Sequence, residues 1–236
     1  MSTNEPNHLH EPLPAPVNLP DPHRGRSRVP LWLKVVYTAF LAVLIPYYLE
    51  AYGPTNFLYF CDVALLMALI ALWAESPLWA SMPAVGILLP QSLWCADFLA
   101  GLVGRHVTGM SAYMFNPGLS LFTRGLSSFH FWLPFLVVFI VWKVGYDRRA
   151  FAAWTGLALS LMLVCYFLMP APPPPPDNPN LPVNINYVYG PSDDQPQHWM
   201  PPLAYLALLM CTLPLAIYLP THLLLSKLVG KREREG

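Results

Sequence analysis

Charged residues are scarce in this chain. Asp, Glu, Lys and Arg make up only 11% of its 236 residues, against about a quarter in an ordinary soluble domain. The formal net charge is zero, and no basic patch indicates a nucleic-acid partner. The four cysteines form no CxxC pair, so neither a zinc ribbon nor a disulfide framework is indicated. What the chain does contain in quantity is apolar sequence.

Six apolar stretches are each long enough to cross the hydrocarbon core of a bilayer, which takes roughly 20 helical residues. Hydrophobic residues form 55% of the chain, and the stretches are continuous rather than alternating, which favours helices over a β-barrel. We therefore predict an all-α polytopic membrane bundle in contact with the lipid bilayer. The predicted spans are 31–51, 56–74, 78–102, 126–144, 151–169 and 201–224.

The segments outside the spans predict the orientation. Lys and Arg cluster at 24–28, 143–149 and 227–234, which fall on one side of a six-span bundle, and such clusters stay in the cytoplasm. Residues 1–30 are predicted to be a disordered, proline-rich cytoplasmic tail that is available to a membrane-protein partner. Residues 226–236 are predicted to be a basic cytoplasmic tail. The free thiols and this charge bias fit a bacterial inner membrane.

Ionisable residues converge on one layer of the predicted bundle. With a rise of about 1.5 Å per residue, Cys61 lies roughly 8 Å and His130 roughly 6 Å below the outer ends of spans 2 and 4. Asp62 and Asp97 lie toward the same outer end, and the outer loop 170–200 faces them. Charge inside a membrane is costly enough to indicate function. We therefore expect a functional site in the outer third of the bilayer.

Cys61 and His130 are the candidate catalytic pair. A thiolate is the reactive form of cysteine, and a histidine can take its proton. A packed thiol beside a hydrogen-bonded histidine is the alternative, and sequence spacing alone favours that alternative.

Further polar residues are candidates for supporting roles. Asp62 and Asp97 are expected either to orient His130 or to make structural hydrogen bonds, and Ser127 lies one turn from His130. In the outer loop, Asn184, Asn186 and Tyr187 are the candidate oxyanion or substrate-loop residues.

A metal site is a weaker alternative. His106, His130 and His198 share the predicted outer side with the two aspartates, and imidazole with carboxylate suits zinc or iron. None of these histidines stands in an H-x-x-x-H or E-x-x-H spacing. We therefore expect neither a metal nor another cofactor.

The order of motifs resembles a known family. "NFLYFCDVALLMALIALW", the proline-containing third span, "LFTRGLSSFHFWLPFLVVFIVWKVGYDRRA" and "NPNLPVNINYVYG" resemble the YwaF-like integral membrane proteins over residues 50–225. That family is similar to the androgen-induced hydrolases of fatty-acid esters, which use Thr and His, and to a phospholipid acyltransferase that uses Cys and His. The resemblance implies that Cys61 is a nucleophile and His130 a base.

Two functions therefore remain open. One is an intramembrane lipid-ester hydrolase or acyltransferase that uses Cys61 and His130. The other is a non-catalytic membrane protein, either a subunit of a larger complex or a small-molecule binder.

Overall fold

The chain folds as helices throughout the part that a computed structural model describes, which is residues 27–105, 107–192 and 195–235, with side chains as far as residue 229. No strand occurs in that part. The tail before residue 27, His106, and the side chains of the basic tail from residue 230 lie outside the described residues. Five helices are long and apolar enough to cross a membrane: Leu31–Ala51, Pro77–Gly101, Leu121–Val144, Ala150–Leu168 and Pro202–Val229.

The six predicted apolar stretches all correspond to helices, and two of those helices have an interruption. The fourth stretch is α4 and α5, separated at Ser128, and the last contains a π-helical segment between α7 and α8. The elements are α1 (Leu31–Ala51), α2 (Phe60–Ala74), α3 (Pro77–Gly101), α4 (Leu121–Ser127), α5 (Phe129–Val144), α6 (Ala150–Leu168), α7 (Pro202–Thr212), the π-helical segment (Leu213–Tyr218) and α8 (Leu219–Glu235). Three short 3₁₀ turns join them: Pro54–Leu58, Ala112–Phe115 and Ile185–Tyr187.

Two helices begin several residues away from their predicted starts, because a turn or an N-cap residue sets where each helix starts. Helix α2 has only 15 residues and begins at Phe60 rather than 56, because Pro54 opens a 3₁₀ turn and Tyr59 is extended. Helix α4 begins at Leu121 rather than 126, since the Ser120 hydroxyl accepts a hydrogen bond from the Thr123 N–H at 3.0 Å, which is an N-cap. The last helix continues past 224 to Glu235.

Helix α3 lies at the centre of the bundle and contacts α2, α5, α6 and the last helix. Its approach to α6 depends on Gly86. The fully buried ring of Trp154 lies so close that a Cβ on Gly86 would be 1.9 Å from Trp154 Cε2. A side chain larger than hydrogen therefore does not fit at this crossing.

A network of hydrogen bonds ties the segment before α1 to the end of α2. Glu75 accepts from Lys34 Nζ at 2.7 Å and from the Arg28 N–H at 2.8 Å, and also from the Ser27 hydroxyl. Arg28 in turn donates to the carbonyl of Val144, at the end of α5, at 3.2 Å. The start of α1 and the ends of α2 and α5 thus lie at one end of the bundle.

Candidate functional site

A cavity of about 620 Å³ lies at the other end of the bundle, between the starts of α2 and α5, the second half of α3 and the π-helical segment. Its volume is in the range of small-molecule sites, roughly 300–1,000 Å³. Six of the eight candidate residues line it, namely Cys61, Asp62, Ser127, His130, Asn186 and Tyr187. Asp97 and Asn184 are not among its lining residues.

Cys61 and Asp62 lie in the first turn of α2 and contact each other. The Cys61 Sγ lies 3.8 Å from Asp62 Oδ2, a long hydrogen bond of a thiol to a carboxylate. Asp62 is 3% exposed, and its Oδ2 also lies 3.5 Å from the amide Nδ2 of Asn56. Its other oxygen, Oδ1, has no hydrogen-bond partner among the described residues. A buried carboxylate with one free oxygen therefore lines the cavity.

His130 lies in the first turn of α5, and its hydrogen-bond partner is Gln91 of α3. The Gln91 amide Nε2 is 2.9 Å from His130 Nδ1. The imidazole is also held between aromatic rings, with ring centroids 4.1 Å from Phe129 and 5.3 Å from Trp94. These contacts position the ring at the cavity wall.

The orientation of the Gln91 amide determines which imidazole nitrogen carries the proton. If the amide nitrogen faces Nδ1, the neutral ring carries its proton on Nε2. If the amide is turned by 180°, its oxygen accepts from Nδ1–H and Nε2 becomes a free base. The Gln91 oxygen is otherwise buried without a partner. Gln91 is thus able to hold His130 in the tautomer that a general base requires.

The hydroxyl of Ser127 is bonded to a tyrosine of α1. Ser127 Oγ lies 2.9 Å from Tyr48 Oη, and either atom can be the donor. Both residues line the cavity together with Thr123 and Arg124, so α4 contributes three hydrogen-bonding side chains to this wall.

Asn186 connects the outer loop to the start of α2. Its Oδ1 accepts from the Phe60 N–H at 2.9 Å, and its Nδ2 donates to the Leu58 carbonyl at 2.9 Å. Its backbone φ is +59°, a left-handed conformation that asparagine tolerates better than most residues. Tyr187 follows it on the cavity wall.

Asn184 holds the outer loop together from within. Its Nδ2 donates to the carbonyls of Gly190 and Ser192, each at 2.8 Å, and its Oδ1 accepts from the Tyr189 N–H at 2.8 Å. Asn184 is fully buried and its amide is occupied by the loop. The position predicted as an oxyanion donor thus makes structural contacts.

Asp97 organises the loop that follows α3. Its carboxylate accepts backbone N–H groups from Val107, Thr108, Gly109 and Ser111 at 2.6–3.1 Å. The Ser111 hydroxyl also donates to it at 2.6 Å. Of the two roles expected for Asp97, the contacts match the structural one.

Within the described residues, no group of three or more His, Cys, Asp and Glu side chains lies close enough to hold a metal ion. His198 is exposed and does not line the cavity.

Several cavity residues carry no signal that sequence reasoning uses. Gln91, Tyr48, Tyr113 and Arg124 all line the cavity, but each is a single polar residue within or beside an apolar run. Their positions in the cavity depend on helix packing. The one local sequence signal is Ser120, the N-cap of the helix that contains Arg124.

No family model, curated protein or solved structure matches the chain. The resemblance to the YwaF-like family therefore stays a prediction.

Proposed function

We propose that this protein is a six-span integral membrane enzyme that transfers or hydrolyses the acyl group of a lipid ester, with the cavity as its active site. The observation that carries the proposal is that the Cys61 thiol, the His130 imidazole and the Ser127 hydroxyl line one cavity. The resemblance to the YwaF-like family supports Cys61 as the nucleophile and His130 as the base.

The proposed topology counts the 15-residue α2 as the sixth span and places both termini in the cytoplasm. Its support is that the Arg28 side chain contacts the end of α5, next to the basic cluster at 143–149. The Tyr146 hydroxyl lies 2.7 Å from His222 Nδ1 of α8. Arg28, the segment 143–149 and α8 thus lie at one end of the bundle, which fits a cytoplasmic end under the positive-inside rule. In the proposed topology the cavity lies toward the outer leaflet.

In the first proposed step, Cys61 attacks the acyl carbonyl of the ester. The thiol turns about its Cα–Cβ bond from Asp62 toward His130, whose Nε2 takes the proton as the S–C bond forms. The ester C–O bond breaks, and the imidazolium returns the proton to the departing alkoxide. A thioester on Cys61 and a free alcohol result.

In the second proposed step, water or a lipid hydroxyl attacks the thioester. His130 removes the proton of the attacking group and returns it to the departing thiolate of Cys61, which restores the enzyme. We assign the oxyanion donor in both steps to the hydroxyl pair of Tyr48 and Ser127, which lie 2.9 Å apart. One hydroxyl donates to the other, and the second can donate to the oxyanion.

Hydrolysis of a long-chain fluorogenic ester by the purified protein tests this proposal. We expect Cys61→Ala to lower the rate by about 10³-fold or more, as removal of a nucleophile does, and His130→Ala by about 10²-fold or more. Cys211→Ala, which removes an exposed thiol outside the cavity, is the matched control and should leave the rate unchanged. Equal rates in wild type and Cys61→Ala would overturn the proposal.

A non-catalytic binder is the second candidate, and one observation favours it. The hydrogen bonds of the two catalytic candidates go to Asp62 and Gln91 rather than to each other. The cavity would then hold a ligand without reacting with it. The partner expected for the N-terminal tail belongs to this alternative, and the tail lies outside the described residues. Ligand retention without any turnover would support this candidate.

A further inference from the structure

Two residues of opposite charge line the cavity without forming an ion pair. Asp62 is 3% exposed, and its Oδ1 has no partner. Arg124 donates to the neutral carbonyl of Met114 at 3.3 Å, and its buried Nε has no partner. The ion pairs within the described residues are Lys34–Glu75 and Asp147–Arg149, both elsewhere in the fold.

Unpaired charges of this kind are costly inside a membrane bundle, where ionisable side chains usually pair with one another or line a functional cavity. Here the two charges face one cavity rather than each other. A ligand that supplies both countercharges would remove the cost.

Aromatic side chains line the same cavity as the Asp62 carboxylate. Tyr48, Tyr52, Trp94 and Tyr113 line the cavity with Asp62, and the rings of Tyr48 and Tyr52 lie edge to face at 5.3 Å. Burial raises the pKa of the Tyr113 hydroxyl well above its usual range, so this wall stays uncharged.

Carboxylate and aromatic faces together are the chemistry that recognises ammonium groups. A cation over the face of Trp or Tyr is attracted by the ring, and quaternary ammonium ligands are bound in aromatic cages. An Arg with free N–H groups is the matching chemistry for a phosphate or carboxylate.

We propose that the cavity binds an amphipathic zwitterion, with its ammonium group against Asp62 and the aromatic wall and its acidic group against Arg124. The inference rests on the proposed function for the use of the cavity as a ligand site and specifies the class of ligand. Two sources supply this chemistry, the head group of a membrane lipid and a soluble zwitterion. The apolar groups that line the same cavity, such as Ile87 and Leu213, accommodate a tail and favour the lipid.

Native mass spectrometry of the full chain in maltoside micelles tests the proposal with four probes. Dodecylphosphocholine is the zwitterion, dodecyl phosphate the anion, dodecyltrimethylammonium the cation, and free phosphocholine the soluble zwitterion. None of the probes carries an acyl ester, so retention is measured independently of turnover. A wild type that retains the zwitterion but hydrolyses no ester would sink the enzyme proposal and leave this one standing.

We expect the wild type to retain dodecylphosphocholine about tenfold more strongly than either singly charged probe, since each further charge-assisted contact adds on the order of tenfold in affinity. Free phosphocholine should bind more weakly than dodecylphosphocholine; the reverse order would identify a soluble ligand of the same class.

The variants separate the two charges. Asp62→Asn should weaken the cationic and zwitterionic probes, whereas Arg124→Gln should weaken the anionic and zwitterionic ones. Asp177→Asn and Arg105→Gln make the same changes at exposed positions and should leave all probes unaffected.

Two results would overturn the proposal. One is a wild type that retains the zwitterion no better than the singly charged probes, a result that needs no variant to fold. The other is a folded Asp62→Asn that behaves as Asp177→Asn does.

Discussion

At the scale of single residues, the contact between His130 and Gln91 determines which imidazole nitrogen faces the cavity as a base. An imidazole acts as a base only through an unprotonated nitrogen, and a hydrogen bond at Nδ1 sets which nitrogen that is. In many enzymes a carboxylate makes this bond. Here a neutral amide 2.9 Å away makes it. In the proposed mechanism, Gln91 therefore orients the His130 imidazole, and Asp62 and Asp97 do not.

Substitution of Gln91 tests that assignment. Gln91→Leu keeps the approximate volume but removes the hydrogen bond, and we expect ester turnover to fall by about fivefold, since one such bond contributes on the order of 1 kcal/mol. Gln91→Glu, whose carboxylate accepts from Nδ1–H, should retain turnover and shift its pH profile. The measurement is the rate against pH.

Gln195→Leu is the matched control, because it makes the same change at an exposed position of the outer loop. A Gln91→Leu protein with wild-type turnover at every pH would show that Gln91 does not position the base.

The sequence identified Cys61, Asp62 and His130 and several neutral cavity residues, but not Gln91, Tyr48 or Arg124. Cys61, Asp62 and His130 are recognisable because ionisable groups are rare in apolar helices. Gln91 and Tyr48 each make a 2.9 Å hydrogen bond at the cavity, but neither was identified. A single amide or phenol in a helix is an ordinary residue until tertiary packing places a partner beside it.

At the scale of secondary-structure elements, prolines and glycines set how α3 fits among its neighbours. Pro134 has no N–H, so the carbonyl of His130 one turn earlier lacks its helical donor. The Cys95 thiol of α3 lies 3.7 Å from that carbonyl oxygen and 3.6 Å from the oxygen of Phe131. The gap that Pro134 leaves in α5 is thus filled from α3, next to the cavity.

Gly86 sets the distance between α3 and α6, and a methyl group there should separate them. Gly86→Ala would place a Cβ 1.9 Å from the Trp154 ring, and overpacking of this kind costs roughly 1–3 kcal/mol. We expect a lower midpoint of thermal unfolding in maltoside and, because Gly86 also lines the cavity, weaker ligand retention.

Gly156→Ala in α6 is the matched control, since a Cβ there meets nothing within 4 Å. Replacement of a helical glycine at an open site should be neutral or stabilising by up to about 1 kcal/mol. Equal destabilisation by both changes would contradict the role given to Gly86.

Helix boundaries could be predicted only where the decisive signal is local. The first predicted span coincides with Leu31–Ala51, because the change from a polar tail to an apolar run marks its start. The start of α2 was predicted four residues early, since hydropathy does not separate the 3₁₀ turn at Pro54–Leu58 from the helix. The π-helical segment Leu213–Tyr218 was not predicted, because its shape depends on packing around the cavity.

At the scale of the whole molecule, the sequence predicts an all-α bundle, and the described residues confirm it. The five long apolar helices are compatible with a multi-pass membrane protein. The depth of Cys61 and His130 predicts that the loop 170–200 lies near both residues. Asn186 of that loop contacts the start of α2 and lines the same cavity as Cys61 and His130. The sequence could not predict which of the two asparagines lines the cavity, since Asn184 and Asn186 differ only in their tertiary surroundings.

The hydrogen-bond network around Glu75 makes the stability of the bundle depend on pH. Partial burial alone raises the pKa of the Glu75 carboxyl, but hydrogen bonds from Lys34, Ser27 and the Arg28 backbone outweigh it and lower the pKa to about 2. A depressed carboxyl pKa stabilises the fold above its unfolded value of roughly 4.3. That contribution is lost as the pH falls from about 4.3 toward 2.

We therefore expect Glu75→Gln to lower the midpoint of thermal unfolding by a few degrees at pH 7, where about 1 kcal/mol corresponds to about 2–4 °C for a chain of this size. The difference from wild type should shrink below pH 4 and vanish only below pH 2, where the carboxyl is protonated in both states. Glu50→Gln, at an exposed position of α1, is the control. A difference that is the same at pH 7 and pH 3 would contradict the assignment.

The central claim is that Cys61 carries the acyl group, and peptide mass spectrometry of the protein after incubation with a long-chain ester measures this most directly. The account predicts a hydroxylamine-sensitive acyl adduct on the peptide that contains Cys61, and none on those with Cys95, Cys165 or Cys211. The adduct should accumulate more slowly in His130→Ala. An acyl group on Cys211 alone, or the same labelling in wild type and Cys61→Ala, would contradict the account.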